Sequence, residues 1–219
     1  MTVRRIDSGQ VQPGRFDEYF KLVRNFADAI EGYGVSPLTL VRVSSGGANT
    51  GGFAMFADWD SMEAYGDFID RSVQDEAVQK AYGAFYAGDS PVAMGPSNLL
   101  ARLATFGAEE PVGQPGVAAI VRVWSTPPGK QSVVVDAIKN VAGLYSHTNA
   151  HFGIGEIYAG GPDSGNVMTA IVFPNMRELG AYVDDMRQND EIAEMIQQNV
   201  ASDAPIQVLR ASIVRSVAY

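Results

Sequence analysis

The stretch FAMFADWDSMEAYG at residues 53–66 decides the fold, because VMTAIVFPNMRELG at residues 167–180 repeats its pattern 114 positions later. Each stretch begins with a nearly continuous run of apolar residues. Both faces of the strand are then apolar, which predicts that both are buried. Each then continues with the spacing of a helix. Shifting the chain by 114 residues gives ten identities over residues 46–91, where average residue usage predicts roughly three. The chain is therefore a tandem repeat.

Each half carries the same order of predicted elements, β-α-β-β-α-β, which is the ferredoxin-like unit. Apolar residues at helical spacing follow the first strand of each half, and a glycine-rich turn separates the second strand from the third. Further helix is predicted over 74–86 and 190–200. The predicted strands are 3–8, 38–43, 53–58 and 98–105 in the first half and 117–124, 152–159, 167–173 and 207–217 in the second.

The helix after the third strand has a predicted cap and an unusual glycine in both halves. Asp60 and Asn175 each precede a glutamate by three residues, as helix N-caps do. Gly66 and Gly180 then fall inside the helix, where glycine costs about 1 kcal/mol relative to alanine. Their use at equivalent positions predicts that each helix lies close to a neighbouring element there.

The strands that are apolar on both faces predict how the two halves pack together. A ferredoxin-like sheet carries helices on one face, so the second apolar face must be buried in another way. Packing the two sheets face to face and closing them into one barrel buries it. The sequence therefore predicts an α+β fold with a first repeat at 1–106, a Gly-, Pro- and Glu-containing linker at 107–116 and a second repeat at 117–219.

On these grounds the chain resembles the dimeric α/β-barrel superfamily, in a tandem form with both protomers on one polypeptide. The segment from Trp59 to Tyr65, aromatic–x–S–x–E–x–Y, is of a kind familiar after the third strand in that superfamily. The resemblance implies a pseudo-dimeric barrel that binds small molecules. It leaves several activities open, among them cofactor-independent oxygenases, haem-degrading oxygenases, muconolactone-type isomerases and non-catalytic stress-related proteins.

Composition excludes several classes of function. The 219 residues include no cysteine, which removes thiolate nucleophiles, zinc–thiolate sites and iron–sulfur clusters and fits a cytoplasmic protein. A net charge of −9 with scattered basic residues argues against nucleic acid as a partner. No apolar run is long enough for a membrane span, and the first residues lack the apolar core of a secretory signal.

The two histidines are the first candidates for chemistry. His147 and His151 stand four residues apart, which on a helix would put both rings on one face, as a metal site needs. The expected helix end between them argues against that shared face. The alternatives are exposed or capping side chains, or a pocket histidine that acts as an acid–base group or a haem ligand. The first half has no histidine, so we expect any active pocket to be formed mainly with the second half.

Three further residues are candidates because they lie in predicted strands. Arg42 interrupts an apolar run, and Glu156 and Tyr158 lie in the equivalent strand of the second half. A charge in a strand buried on both faces requires a partner or a ligand. Arg42 is therefore part of a structural ion pair, a residue at the barrel rim, or a group that binds an anion or a polarised carbonyl.

Aromatic residues near the strand ends have two interpretations. Trp59 and Trp124, with several phenylalanines, either line an apolar cavity or belong to the ordinary core.

The sequence thus supports a small-molecule-binding barrel that acts as a cofactor-independent oxygenase or isomerase on an apolar or aromatic metabolite. The candidate catalytic residues are His147, His151, Arg42, Glu156 and Tyr158. A non-catalytic ligand-binding protein and a haem protein with a histidine ligand are the alternatives. No other cofactor is predicted, and association of pseudo-dimers into larger homo-oligomers stays open.

Overall fold

The computed structural model describes residues 1–111, 114–190, 194 and 207–219. The elements of the first half are β1 (Val3–Val11), α1 (Phe16–Ile30), β2 (Thr39–Ser45), β3 (Phe53–Trp59), α2 (Met62–Ser72), α3 (Glu76–Gly83) and β4 (Val92–Gly107). Those of the second half are β5 (Ala118–Ser125), α4 (Gln131–Leu144), β6 (His151–Ala159), β7 (Val167–Phe173), α5 (Met176–Gln188) and β8 (Gln207–Ser216). The predicted helix at 190–200 lies almost wholly outside the described residues.

The strands form one closed antiparallel barrel in the order β1-β3-β2-β8-β5-β7-β6-β4. Each half contributes a four-stranded sheet, and the two sheets join along both edges, where β2 pairs with β8 and β4 pairs with β6. Strand β4 is 16 residues long because its first part pairs with β1 and its last part with β6. The predicted barrel of two ferredoxin-like repeats is confirmed.

The alternating strand faces explain why both sides of each sheet are apolar. On β3, Phe53 and Met55 are buried in the core beneath the helices of the first half. The intervening Ala54 and Phe56 face the inside of the barrel. The same division holds in β7, where Ile171 packs in the helix-side core and Met168 faces inward. Helices therefore cover the outside, and the barrel encloses a separate interior.

One predicted helix cap is correct and the other is wrong by one residue. Asn175 caps α5, its side-chain oxygen accepting a hydrogen bond from the backbone N–H of Glu178 at 3.0 Å. In α2 the cap is Ser61 rather than Asp60, because Ser61 has the extended backbone of a cap and its hydroxyl accepts from the Ala64 N–H.

The expected close approach at Gly66 and Gly180 is wrong. A Cβ built on either glycine meets no described atom within 4 Å outside its own surroundings in the helix. Among the described residues neither glycine is needed for packing, so each is expected to weaken its helix through backbone entropy.

We therefore expect Gly66→Ala and Gly180→Ala each to raise the free energy of unfolding by about 0.5–1 kcal/mol. Denaturant unfolding measures the change. Gly107→Ala is the matched control and should destabilise by about 1–3 kcal/mol, because Gly107 has a φ of +83° and a Cβ there would overlap the Ala150 carbonyl oxygen. Loss of stability in both helix variants would contradict the open space seen at these positions.

The two edge junctions also predict the behaviour of an isolated half. A fragment of residues 1–106 would leave the outer edges of β2 and β4 unpaired and the apolar interior exposed to water. We expect it to form a homodimer or to aggregate, as size-exclusion chromatography with light scattering would show. A stable, soluble monomer would contradict the dependence of each half on the other. The division of the chain at 107–116 stays a prediction.

Candidate functional site

The barrel interior contains a cavity of about 340 Å³, within the size range of small-molecule sites. Both halves of the chain line it, and the linker adds Glu110 and Pro111 at one end. Most of the lining is apolar. Its larger apolar side chains include Ile6, Val41, Phe56, Leu100, Val121 and Met168.

The structure separates the two histidines. His147 is exposed in the turn after α4, whereas His151 is the first residue of β6 and is 5% exposed. The neighbouring Phe152 points to the helix-side core, so the alternation of β6 turns His151 towards the cavity. The shared helical face that a two-histidine metal site needs does not exist. The described residues contain no cluster of three or more potential metal-ligating side chains.

The other three candidates lie on the outside of the barrel. Arg42 is exposed, with its guanidinium 5.9 Å from the centre of the Phe16 ring, so the expectation of a buried charge is wrong. Glu156 is half-buried and accepts a hydrogen bond from Gln131 at 3.4 Å. Tyr158 is 66% exposed. The structure thus brings His151 alone of the five candidates to the cavity.

The two tryptophans are also outside the barrel. Trp59 is buried among the first half's helix-side residues and makes an edge contact with Tyr65. Trp124 packs on the core of the second half and donates its indole N–H to Thr169 at 2.8 Å. Their core interpretation is correct.

A network of four charged side chains closes the linker end of the cavity. Arg4 donates from Nε and Nη2 to the two oxygens of Asp58, at 2.6 and 2.7 Å. The same Nη2 donates to Glu110 Oε1 at 2.7 Å, and Arg102 Nη2 donates to Glu110 Oε2 at 2.8 Å. Two arginines and two carboxylates therefore balance one another in a partly buried position, which such charges require.

The charges of this network shift the pKa values of Arg4 and Glu110. Burial alone would lower the pKa of Arg4, but the hydrogen bonds and charges of Asp58 and Glu110 outweigh it and raise that pKa. Burial alone would raise the pKa of Glu110, but Arg4 and Arg102 outweigh it and hold that pKa below its usual 4.5. Glu110 is therefore ionised at neutral pH and bound to both arginines.

One hydrogen bond of His151 defines the tautomer of its neutral ring. Nδ1 lies 2.8 Å from the carbonyl oxygen of Ala108, and a carbonyl only accepts, so we assign the ring proton to Nδ1. When the ring is neutral, its lone pair is then on Nε2. Nε2 has no hydrogen-bond partner among the described residues and lies 3.8 Å from Glu110 Oε2. It lies along the inner barrel face, 3.5 Å from where a Cβ on Gly153 would be.

Two more cavity-lining side chains have buried polar atoms without a hydrogen-bond partner in the described part of the chain. They are the hydroxyl of Thr39 and the amide oxygen of Asn98. Buried polar atoms are normally hydrogen-bonded, so unpartnered ones around a cavity indicate where a ligand's polar groups would be received.

The charged network has no counterpart in the second half. Strand register makes Ala118 the equivalent of Val3, since each pairs with the corresponding residues of its two neighbouring strands. The counterparts of Arg4, Asp58 and Arg102 are then Ala119, Val172 and Ser216 in that order. The polar end thus draws Arg4, Asp58 and Arg102 from the first half, His151 from the second and Glu110 from the linker.

Sequence reasoning missed four of these five residues. Arg4 and Arg102 each interrupt a predicted strand, the same signal that singled out Arg42, and strand alternation could have placed both inside the barrel. Glu110 carried no signal, because a glutamate in a Gly- and Pro-containing segment is typical of a solvated linker.

The comparisons with solved structures identify the architecture. A Fusobacterium nucleatum protein provisionally assigned as a monooxygenase superposes with a TM-score of 0.65 at 10% identity, covering 99% of this chain and 93% of that one. An anthrone oxidase-like protein gives 0.59 at 14% identity, covering 100% and 94%. A mutant chlorite dismutase from Candidatus Nitrospira defluvii, in complex with cyanide, gives 0.56 at 7% identity, covering 100% and 91%. The chain therefore has the dimeric α/β-barrel fold in tandem form.

These similarities establish the fold alone, because the identities are low. No protein-family model and no curated protein matches the sequence. In the described part of the chain, every helix is too short or too polar to span a bilayer.

The lowered pKa of Glu110 predicts a pH-dependent stability difference. Glu110→Gln should lower the free energy of unfolding by about 1–3 kcal/mol at pH 7, because hydrogen bonds to a charged group are lost. An ionised Glu110 stabilises the fold above its usual pKa of 4.5, and this contribution disappears as pH falls through the lower folded-state value.

The difference between wild type and Glu110→Gln should therefore shrink below about pH 4.5, as denaturant unfolding at several pH values would show. Glu109→Gln, at an exposed neighbouring position, is the control and should have little effect. A difference that stays constant from pH 7 to pH 3 would mean that the carboxylate of Glu110 contributes nothing through its charge.

Proposed function

We propose that the barrel binds a small, largely apolar metabolite and that His151 acts on it as a general base. The observation that carries this proposal is the buried imidazole whose free Nε2 lies at the polar end of an apolar cavity. A neutral imidazole is the side chain best suited to accept a proton near pH 7. The reaction is of the cofactor-independent oxygenase or isomerase type.

The surroundings of His151 suit a base that becomes charged during the reaction. The Ala108 carbonyl holds the ring by Nδ1 and keeps the lone pair on Nε2. When Nε2 takes a proton from a carbon beside a ligand carbonyl, the ring becomes an imidazolium, and the Glu110 carboxylate 3.8 Å away stabilises it. The same step leaves an enolate on the ligand, and the N–H donors of Arg4 and Arg102 line the same cavity.

The enolate then has two fates. In the oxygenase version its electrons reduce O₂, so that anthrone plus O₂ gives anthraquinone plus water, with one oxygen atom in the new carbonyl and the other in the water. In the isomerase version the proton returns to a different carbon. The fold likeness to a protein assigned as a monooxygenase and to an anthrone oxidase-like protein supports the first version.

Haem is not part of the proposed reaction, because proton transfer needs His151 Nε2 unoccupied. His151 Nε2 supplies the free nitrogen that an axial ligand needs, but Glu110 Oε2 stands 3.8 Å from it and is held by two arginines. A porphyrin bound through Nε2 would have to displace that network, and no step of the proposed reaction involves one. A Soret band in the purified protein would overturn this conclusion.

A non-catalytic ligand-binding protein is the alternative function, since the same cavity would serve it. Binding without proton transfer distinguishes it from the proposal. A cytoplasmic location and association into larger homo-oligomers stay predictions.

Anthrone is the probe that tests the proposal. We expect the wild-type protein to accelerate exchange of the anthrone methylene protons in D₂O and to consume O₂ in air. Loss of a general base typically costs 10²–10⁴-fold, so His151→Gln should lower kcat/KM for both reactions by about that factor. His147→Gln is the matched control, because His147 is exposed, and should leave both rates unchanged.

Circular dichroism would confirm that both variants are folded. If His151→Gln keeps the wild-type rates, His151 is not the base. If the wild type binds anthrone, as ligand-observed NMR would detect, yet exchanges no proton, the non-catalytic alternative is correct.

A further inference from the structure

Glu110 belongs to the linker, yet its carboxylate occupies a position between two arginines of the barrel. One oxygen accepts from Arg4 at 2.7 Å and the other from Arg102 at 2.8 Å. Its side chain is 15% exposed and lines the cavity. A carboxylate bridging two guanidinium groups in this way is the arrangement by which proteins recognise anionic ligands.

The barrel's own residues leave this position in need of a negative charge. Asp58 already pairs with Arg4 through both of its oxygens and lies 3.8 Å from Arg102. Arg102 makes its one short ionic contact, in the described part of the chain, with Glu110. Without Glu110, two cations would face a single carboxylate at the end of an apolar cavity, which is unfavourable without another anion.

Among the described residues, the contacts that attach Glu110 itself to the barrel are those of its carboxylate. Ala108 pairs with Ala150 by its N–H and with His151 by its carbonyl, and Gln114 accepts from Ser216. Between these two attachments, the described linker residues make no backbone hydrogen bond. The carboxylate can therefore be exchanged without breaking the pairing of any strand.

We infer that Arg4 and Arg102 form a carboxylate subsite and that Glu110 fills it as an internal substitute for the carboxylate of a ligand. This inference rests on the proposed function, since it assigns the ligand an apolar body in the cavity and a carboxylate at the polar end. Glu110 Oε2 lies 3.8 Å from His151 Nε2, so a ligand carboxylate in this place brings the adjoining part of the ligand next to the base. Phe56, whose ring lies 4.4 Å from the Arg4 guanidinium, borders the same place on the cavity side.

Two probes of equal shape test the inference, 2-naphthoate and its neutral counterpart 2-naphthamide. Glu110→Gln removes the competing charge, so it should bind naphthoate at least tenfold more tightly than the wild type does, while its affinity for naphthamide changes little. Isothermal titration calorimetry measures both constants. Glu109→Gln changes the net charge equally at an exposed position and should leave the ratio of the two affinities unchanged.

Arg102→Gln combined with Glu110→Gln should abolish the gain for naphthoate, because the released arginine is then missing. Glu110→Asp replaces Glu110→Gln in the test if the glutamine variant is poorly folded. Its shorter side chain bridges the arginines less well, so its affinity for naphthoate should rise by a smaller factor.

Three outcomes would overturn the inference. An unchanged naphthoate-to-naphthamide ratio in Glu110→Gln, with naphthamide bound, would remove the carboxylate subsite and leave the proposed function standing. A gain that persists without Arg102 would assign the effect to overall charge. If no variant binds either probe, both the subsite and the proposed apolar cavity site fail.

Discussion

The pairing of sheet edges is the constraint on which the rest of the structure depends. Each half has two unpaired edge strands, β2 and β4 or β6 and β8, and each edge finds its partner on the other half. Closing both junctions satisfies the backbone hydrogen bonds and removes the exposed edges that promote aggregation. It also turns the inner apolar faces into the wall of one chamber. The cavity is therefore a consequence of how the two sheets are joined, before any particular ligand is considered.

A duplicated scaffold does not need two equal sites, and the register shows at which positions the two halves differ. Arg4, Asp58 and Arg102 face inward in the first half, whereas their counterparts in the second are Ala119, Val172 and Ser216. Ala119 and Val172 belong to a small apolar cluster. The charged cluster at these positions and the apolar residues at their counterparts make the cavity lining asymmetric.

Much of the fold could be predicted from the sequence, because strand burial and internal repetition are local patterns. Residues 53–66 show both faces of β3 and the start of α2, and residues 167–180 repeat them. The candidate site was harder, since inward and outward directions depend on the phase of each strand. Arg42 and Arg4 both interrupt apolar strands, yet the first points to solvent and the second into the barrel. Glu110 depends on where a linker crosses the barrel end, which no local pattern encodes.

The covalent linker gives the tandem protein a group that two separate chains would have to supply in another way. A carboxylate tethered a few residues from β4 is present at high effective concentration beside Arg4 and Arg102, so a free anion must compete with it. Such competition weakens the binding of every carboxylate and favours ligands whose apolar body adds enough contact in the cavity. The linker therefore joins the two repeats and also influences which ligands bind. Its Glu110 both neutralises the arginines and lies beside the imidazole of His151.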